Sequence, residues 1–342
     1  MRLGINLGYF GASAPSAFVP MVQRAEALGY HSVWTAEAYG ADALSPLAYL
    51  AAVTDRIKLG TSVVQMAARP PATLAMHAMT VDALAGGNRL ILGIGVSGPQ
   101  IVEGWYGQPW GRPNLRLRDY VTILRKVLDR EGPVAHDGPE LQLPYRGPGA
   151  LGQGKPLKSI MHPVARVPIW LAAGGPRNTA LAAELCDGWL PMGLSPDGVP
   201  DVVRDRDDFE VFGGASVTIT DDVRGVLDRM RPLTAMYVGG MGSESHNYHR
   251  DAMARRGFPE AADRIGELWR AGRKEEAQAA VPEEYLEQNA LVGSVARIRR
   301  RWEEGYAAPG VTGVIVSAAQ PEALELMADL AGTRETQGGI AR

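Results

Sequence analysis

A glycine-rich turn at positions 172–178 has the residue types that bind a phosphate. The sequence there, Ala-Ala-Gly-Gly-Pro-Arg-Asn, ends a strand-like run, turns on two glycines and places Pro176 at the first position of a helix. Free backbone N–H groups and the positive end of that helix would then face one point, which favours an anion. The alternative is an ordinary turn of an α/β barrel, because barrels that bind no phosphate also contain such turns.

A second glycine pattern, G-x-G-x-x-G at positions 93–98, also follows a strand-like run. It raises the alternative of a Rossmann dinucleotide site. Pro99 follows the last glycine at once, although the fingerprint requires that glycine to lie inside a helix. The expected acid, Asp119, falls within a helical pattern instead of at a strand end. We therefore expect these glycines to let a flat ligand approach the backbone closely.

Side chains that could move a proton or bind a metal are few. Glu37 follows a strand-like run, where barrel chemistry takes place, and is the predicted catalytic residue, as a proton donor or as an acceptor that holds a ring. A helix-capping or ion-paired carboxylate is the alternative. His246 and His249 have a spacing that suits metal ligands, but no carboxylate lies in the same turn, so we expect a solvated or substrate-facing pair and no metal.

The composition excludes several classes of protein. The chain has 342 residues, of which 46% are hydrophobic, so it can form a large core and is not disordered. A net charge of −3 gives no support for nucleic-acid binding, and one cysteine cannot form an internal disulfide. No apolar run reaches the ~18 residues of a membrane span. A strand-like run begins at residue 3, so we expect no signal peptide and a cytoplasmic protein.

Apolar strand-like runs alternate with amphipathic helical patterns along most of the chain. The eight runs are 3–7, 32–36, 57–64, 89–95, 167–173, 188–192, 215–220 and 313–317. They predict an α/β fold, a (β/α)8 TIM barrel, with a doubly wound open sheet as the alternative. We expect a single barrel domain over 1–342, with a long ordered loop at 133–163. Residues 241–291 form a predicted helical insertion between strands seven and eight, either a lid or a peripheral decoration.

Several segments carry a family resemblance that covers nearly the whole chain. They are 60–63, 68–76, 93–107, 155–158, 169–176, 183–189, 290–293 and 313–317, of which 97–107 is the most specific. These segments resemble the luciferase-like monooxygenase superfamily. Within it they resemble the branch that uses the 8-hydroxy-5-deazaflavin coenzyme F420 and includes methylenetetrahydromethanopterin reductase. The resemblance implies the same barrel with a helical insertion before strand eight.

The resemblance also implies a coenzyme site. Ser62 and Val63 match a bulge with a non-prolyl cis peptide behind the deazaflavin ring. Ser97 and Gly98 match contacts to the ring and the ribityl chain. The phosphate-binding turn corresponds to Ala172, Ala173, Gly174, Gly175 and Pro176. Arg69, Arg112 or Arg177 would meet the acidic tail of the coenzyme.

Two positions depart from the sugar-phosphate dehydrogenases of this branch. Those enzymes carry a His after strand two and a Glu in the strand-four loop, where this chain has Glu37 and Gly98. The departures argue against oxidation of a sugar alcohol. The resemblance instead implies an F420-dependent oxidoreductase, which we expect to be a reductase, that transfers a hydride between C5 of the deazaflavin and a small organic substrate. The alternatives are an FMN-dependent monooxygenase and, from another class, a non-redox barrel or ligand-binding protein. A homodimer is one open expectation for the assembly.

Overall fold

A computed structural model describes residues 1–10, 14–38, 40–193, 198–243, 245–306 and 309–334. The strands are β1 (Arg2–Asn6), β2 (Ser32–Thr35), β3 (Lys58–Thr61), β4 (Val64–Gln65), β5 (Leu90–Gly95), β6 (His136–Asp137), β7 (Gln142–Leu143), β8 (Ile169–Ala173), β9 (Gly188–Pro191), β10 (Glu210–Ile219), β11 (Ala290–Gly293) and β12 (Gly313–Ser317).

Helices connect the strands and cover the outside of the sheet. They are α1 (Val19–Ala27), α2 (Leu44–Ala51), α3 (Pro71–Leu84), α4 (Pro99–Gly104), α5 (Pro113–Asp129), α6 (Pro176–Leu185), α7 (Asp201–Arg204), α8 (Val223–Gly240), α9 (Tyr248–Arg255), α10 (Pro259–Arg270), α11 (Lys274–Ala279), α12 (Glu283–Glu287), α13 (Val295–Arg301) and α14 (Pro321–Ala331). Short helical turns lie at Pro15–Phe18, Met66–Ala68 and Trp302–Tyr306. Several helices begin at a proline, whose missing N–H costs nothing in the first turn.

Eight parallel strands close into a barrel, which confirms the predicted (β/α)8 fold over the doubly wound alternative. The order around the barrel is β1, β2, β3, β5, β8, β9, β10 and β12, and β12 pairs with β1. The long strand β10 completes the ring, because its first residues pair with β9 and the following ones with β12. Tryptophan and phenylalanine rings fill the interior, with Trp170 between Trp34 and Phe212 at centroid distances of 5.2 and 4.9 Å.

The predicted insertion before strand eight is present and is mostly helical. The segment between β10 and β12 contains α8 to α13 and has its own hydrophobic core, which includes Leu227, Met253 and Ile265. Residue 291, predicted to end the insertion, lies inside β11, which pairs in parallel with the second half of β10. The sequence pattern also began strand seven five residues late, because Gly213 and Gly214 interrupt the apolar run of β10.

Carboxylates on the helices fix the turns that lead into the strands. Glu26 of α1 accepts backbone N–H groups of Asp55, Arg56 and Ile57 before β3, at 3.0, 2.6 and 2.8 Å. Asp82 of α3 does the same before β5, accepting from residues 88–90. These contacts lie at the amino-terminal end of the barrel, where structure serves stability more than chemistry.

The 133–163 segment contains the short antiparallel pair β6–β7, and Asp119 of α5 fixes it to the barrel. The buried carboxylate of Asp119 accepts the backbone N–H groups of Glu140 and Leu141 at 2.7 and 2.8 Å, and it contacts His136 Nε2 at 2.9 Å. Asp119 therefore has a structural role in place of the ribose contact of a Rossmann site. In the described part of the chain no helix is long and apolar enough to cross a membrane.

Candidate functional site

The residues predicted to bind a coenzyme meet at the carboxyl ends of three neighbouring strands. Ser62 and Val63 follow β3, Ser97 and Gly98 follow β5, and residues 172–176 end β8 and begin α6. The peptide bond between Ser62 and Val63 is cis and non-prolyl, as the resemblance predicted. The barrel thus gathers on one side of its mouth residues that lie up to 114 positions apart in the sequence.

Small side chains make this part of the mouth flat and apolar. Val63 and Ala172 are half-buried and pack on the aromatic core inside the barrel. Between them lies Gly95, where a Cβ would stand 2.7 Å from Val63 Cγ2 and 4.0 Å from the Cβ of Ala172. A side chain at position 95 would displace Val63, so glycine keeps the surface level. A planar ring system would find an apolar surface of backbone and small side chains here.

The turn before α6 is open, as an anion site requires. Gly175 is the N-cap, no side chain caps the helix, and Pro176 is the first helical residue. A Cβ on Gly175 would meet no atom of the described residues within 4 Å, and its φ of −113° is accessible to any residue. The N–H groups of Arg177 and Asn178 have no intrahelical partner, since they lie in the first turn. An anion at this point would therefore meet free donors and the positive helix end.

Ala173 departs from the predicted pattern of contacts. Its side chain is only 2% exposed, and its carbonyl oxygen accepts the indole N–H of Trp189 at 2.8 Å. Successive side chains of a strand point to opposite faces, so Ala172 faces the mouth and Ala173 faces away. The side chain of Ala173 is therefore not available to a ligand at the mouth.

The loop after β5 reaches the helical insertion. Ser97 adopts a left-handed conformation, with φ of 59°. A Cβ on Gly98 would lie 3.6 Å from the carbonyl oxygen of Met241, just after α8. On the other side of the mouth, the hydroxyl groups of Tyr9 and Tyr237 are 3.0 Å apart. The carboxyl end of α8 and the residues after it therefore lie over the mouth.

Glu37 forms a buried ion pair. Its side chain accepts from both terminal nitrogens of Arg69, at 2.7 and 3.2 Å, and from the backbone N–H of Gln65 at 2.9 Å. Arg69 also binds Asp42, at 2.9 Å. Because both carboxylate oxygens of Glu37 are occupied by donors, the geometry favours the ion-paired interpretation over the predicted proton donor. The same contacts neutralise the charge of Arg69, so Arg69 is poorly placed to bind the acidic tail of the coenzyme.

Gln65 is a polar residue of this region that the sequence did not single out. Its side-chain amide donates to the carbonyl oxygen of Glu37 at 3.0 Å. Its own oxygen, Oε1, is buried and has no hydrogen-bond partner among the described residues. Nearby, burial and the charge of Glu37 raise the pKa of Tyr106 to about 12. Only the folded arrangement brings Gln65 beside Glu37, and no local motif marks it.

Of the three arginines predicted to meet an acidic tail, Arg177 has the most suitable surroundings. Arg112 binds Glu140, with Nε 2.6 Å from the carboxylate. Arg177 is exposed in the first turn of α6 and makes no ion pair within the described residues. It stands beside the open turn at Gly175.

A cavity of about 260 Å³ lies between the barrel mouth and the insertion. Met192, after β9, forms one wall, and Tyr237, His249, Arg256 and Tyr285 form much of the rest. His246 and His249, the two histidines of the sequence pattern, lie in different surroundings. His246 is exposed and bonds Ser245 Oγ at 2.9 Å, whereas His249 packs on Tyr237 with ring centroids 4.6 Å apart. Burial lowers the pKa of His249 to about 4, so its imidazole is neutral at pH 7.

Within the described ranges, no group of three or more His, Cys, Asp or Glu side chains is arranged to hold a metal ion.

The comparisons with known proteins agree with this architecture. The family model of the luciferase-like monooxygenases matches residues 1–313. A Mycobacterium tuberculosis protein that carries the name coenzyme F420-dependent oxidoreductase is 45% identical, and the match covers 96% of this chain and 99% of that protein. The 5,10-methylenetetrahydromethanopterin reductase of Archaeoglobus fulgidus is 30% identical, over 68% of this chain and 70% of its own length.

A solved structure extends the likeness to the fold. The coenzyme F420-dependent tetrahydromethanopterin reductase of Methanopyrus kandleri superposes with a TM-score of 0.73 at 22% identity, covering 96% of this chain and 97% of that one. The chain belongs to the luciferase-like monooxygenase family and is an enzyme of that family.

Proposed function

We propose that this protein is a coenzyme F420-dependent oxidoreductase, and that it works as a reductase on a small organic substrate. The observation that carries the proposal is the convergence of the flat apolar surface at Val63, Gly95 and Ala172 with the open turn at Gly175. A planar coenzyme with a phosphate fits that pair of features. The name of the relative from Mycobacterium tuberculosis supports the use of F420, and that of the relative from Archaeoglobus fulgidus supports a reductase.

The residues present fit such a coenzyme on structural grounds. Glycine at 175 leaves the approach to the helix end clear, and the first-turn N–H groups would hold a phosphate. Val63 and Ala172 would support one face of the ring and leave the other face toward the mouth. When bound, F420 supplies a hydride at C5 in a two-electron reaction, and its deazaflavin reacts poorly with oxygen.

The protein's remaining tasks are to position the reactants and to exclude water. The insertion serves the second task, because Tyr237 and Met241 bring it against the loops after β1 and β5. Glu37 holds Arg69 and the turn at Gln65, and so fixes the segment after the Ser62–Val63 bulge. We propose that the proton of the reaction comes from a bound water or from a substrate group, with Glu37 in a positioning role.

Assays of the purified protein with both coenzymes would test the reaction class. We expect oxidation of reduced F420, followed by the fluorescence of the oxidised coenzyme, to depend on an unsaturated or imine-like acceptor and not on oxygen. Oxygen uptake with reduced FMN, together with no reaction of F420, would contradict the proposal and assign the protein to the oxygenases.

A further inference from the structure

Arg256 is a buried cation that has no carboxylate partner in the part of the chain that the structure describes. Its side chain is enclosed, with the residue only 3% exposed. Its hydrogen-bond partners are neutral: Nε donates to Gln288 at 2.9 Å, and the amide oxygen of Asn289, turned toward the guanidinium, accepts from the terminal nitrogens at 2.9 and 3.2 Å. No described carboxylate lies within ion-pair distance of it. Buried charges in proteins are almost always paired, so this one is unusual.

The guanidinium lies at the wall of the 260 Å³ cavity under the insertion. The ring of Tyr285 stacks against it, with Cζ 4.4 Å from the ring centroid. Burial lowers the pKa of Arg256, yet an arginine stays charged at any physiological pH. Because His249 is neutral, Arg256 is the one charged side chain among the described residues that line the cavity.

The cavity lies next to the turn of the candidate coenzyme site. Met192 lines it and also stands beside the turn of the coenzyme site, where a Cβ on Gly174 would lie 3.0 Å from Met192 Sδ. The next residue, Gly193, passes directly over the guanidinium, and a Cβ there would lie 2.6 Å from Nη1. A ligand in the cavity would therefore be a neighbour of a coenzyme held at Gly174 and Gly175.

The rest of the described lining is neutral and mostly apolar: Met192, Met230, Val238 and Leu286 lie beside aromatic rings, and Thr234 and Asn289 add polar groups. A ligand that matches one buried cation and these walls carries a single negative group on an apolar body. Guanidinium and carboxylate groups pair in a planar, bidentate geometry, which makes a carboxylate the best complement.

From this we infer that Arg256 forms a subsite for the carboxylate of an apolar organic acid, and that the substrate of this enzyme carries that group. The inference rests on the proposed function, since it identifies the ligand as the partner of the coenzyme. An anionic group of F420 itself, its acidic tail or its phosphate, could also bind Arg256. The experiment distinguishes that case from a substrate carboxylate.

The test uses the full chain and benzoate as the probe, with benzyl alcohol as its neutral analogue. Calorimetric titration should show binding of benzoate and at least ~10-fold weaker binding of benzyl alcohol, a contrast that requires no variant. Arg256→Met should weaken benzoate at least ~10-fold, and Arg256→Lys less. Arg255→Met is the matched control, because Arg255 is the exposed last residue of α9 and directly precedes Arg256, and it should leave the affinity unchanged.

Equal affinity for the two probes would overturn the inference, and so would unchanged benzoate affinity in a folded Arg256→Met protein. Titration of benzoate at saturating F420 distinguishes the two sources of the anion. Simultaneous binding supports a substrate subsite, whereas competition, with F420 affinity lost in Arg256→Met, would overturn it in favour of the coenzyme. If the wild-type protein binds benzoate through Arg256 but never F420, the anion site stands and the proposed function fails.

Discussion

At the scale of single residues, glycine and alanine side chains define the candidate coenzyme site more than charged groups do. Gly95 lets Val63 and Ala172 form one surface, and Gly175 leaves the end of α6 open. At both positions the absence of a side chain leaves space that a larger residue would fill. The site is therefore most sensitive to added volume.

Substitution of Gly175 by leucine tests the phosphate-binding role of the turn. The backbone at this position suits any residue and the space around its Cβ is clear, so we expect the variant to fold normally. The added side chain would fill the approach to the helix end and weaken F420 at least ~100-fold, about 2.7 kcal/mol. Fluorescence titration of F420 measures the effect.

Gly132→Leu is the control for that variant, because its Cβ also has open space and lies far from the mouth. It should bind F420 like the wild type. A Gly175→Leu protein that keeps full affinity would show that the phosphate binds elsewhere.

Substitution of Glu37 by glutamine separates a positioning role from proton donation. Loss of the charge leaves Arg69 with Asp42 alone, so we expect the protein to lose about 2 kcal/mol of stability in urea denaturation. The maximal rate should fall less than ~10-fold, with an unchanged pH profile. A proton donor would instead lose ~100-fold or more and one limb of that profile.

Asp42→Asn is the matched control for Glu37→Gln, because it removes the more exposed of the two partners of Arg69. Its smaller effect on stability should come with an unchanged rate.

At the scale of elements, the apolar runs predicted the strands well because each strand of the barrel is covered on both faces. The run 313–317 coincides with β12, and 89–95 differs from β5 by one residue. The prediction failed where polar or small residues interrupt a strand, as at Gly213 in β10, and where a short strand ends a helical region, as in β11.

The sequence patterns did not predict contacts between elements. Glu37 was found because it follows a strand, but its pairing with Arg69 joins positions 32 residues apart. Arg256 carried no signal, since an arginine on a polar helix is most often solvated, and only the packing of the insertion on Gly193 buries it. Such residues become identifiable only once the elements are assembled.

The carboxylate of Glu26 connects α1 to the turn before β3, and its contribution to the stability of the protein depends on pH. Burial alone would raise its pKa, but the three backbone N–H groups and the nearby charge of Arg89 together outweigh burial and hold the pKa below the usual 4.5. A depressed folded-state pKa stabilises the protein above the unfolded pKa, and that contribution is lost as the pH falls through the folded value. Glu26→Gln should therefore cost about 1 kcal/mol at pH 7, allowing for solvent screening, and less as the pH falls below about 4.5.

Urea denaturation of both proteins across that pH range measures the difference. Glu325→Gln, an exposed carboxylate on α14 that binds Arg24, is the control and should behave like the wild type. A difference that is the same at pH 7 and at low pH would contradict the role assigned to the Glu26 carboxylate.

At the scale of the whole molecule, the barrel separates stability from chemistry. Helical carboxylates fix the turns at the amino-terminal end, while the carboxyl ends of β3, β5 and β8 present the small residues of the candidate site. The insertion between β10 and β12 adds the cavity at Arg256 and covers the mouth. Under the proposed function, the family fold would supply the coenzyme side and the insertion would supply the side that selects the substrate.

The central claim is that the protein uses F420, and paired titrations of the purified chain with F420 and with FMN test it most directly. Ligand fluorescence should show tight binding of F420 and much weaker binding of FMN, with F420 affinity lost in Gly175→Leu. Preference for FMN, or binding of neither coenzyme, would contradict the claim.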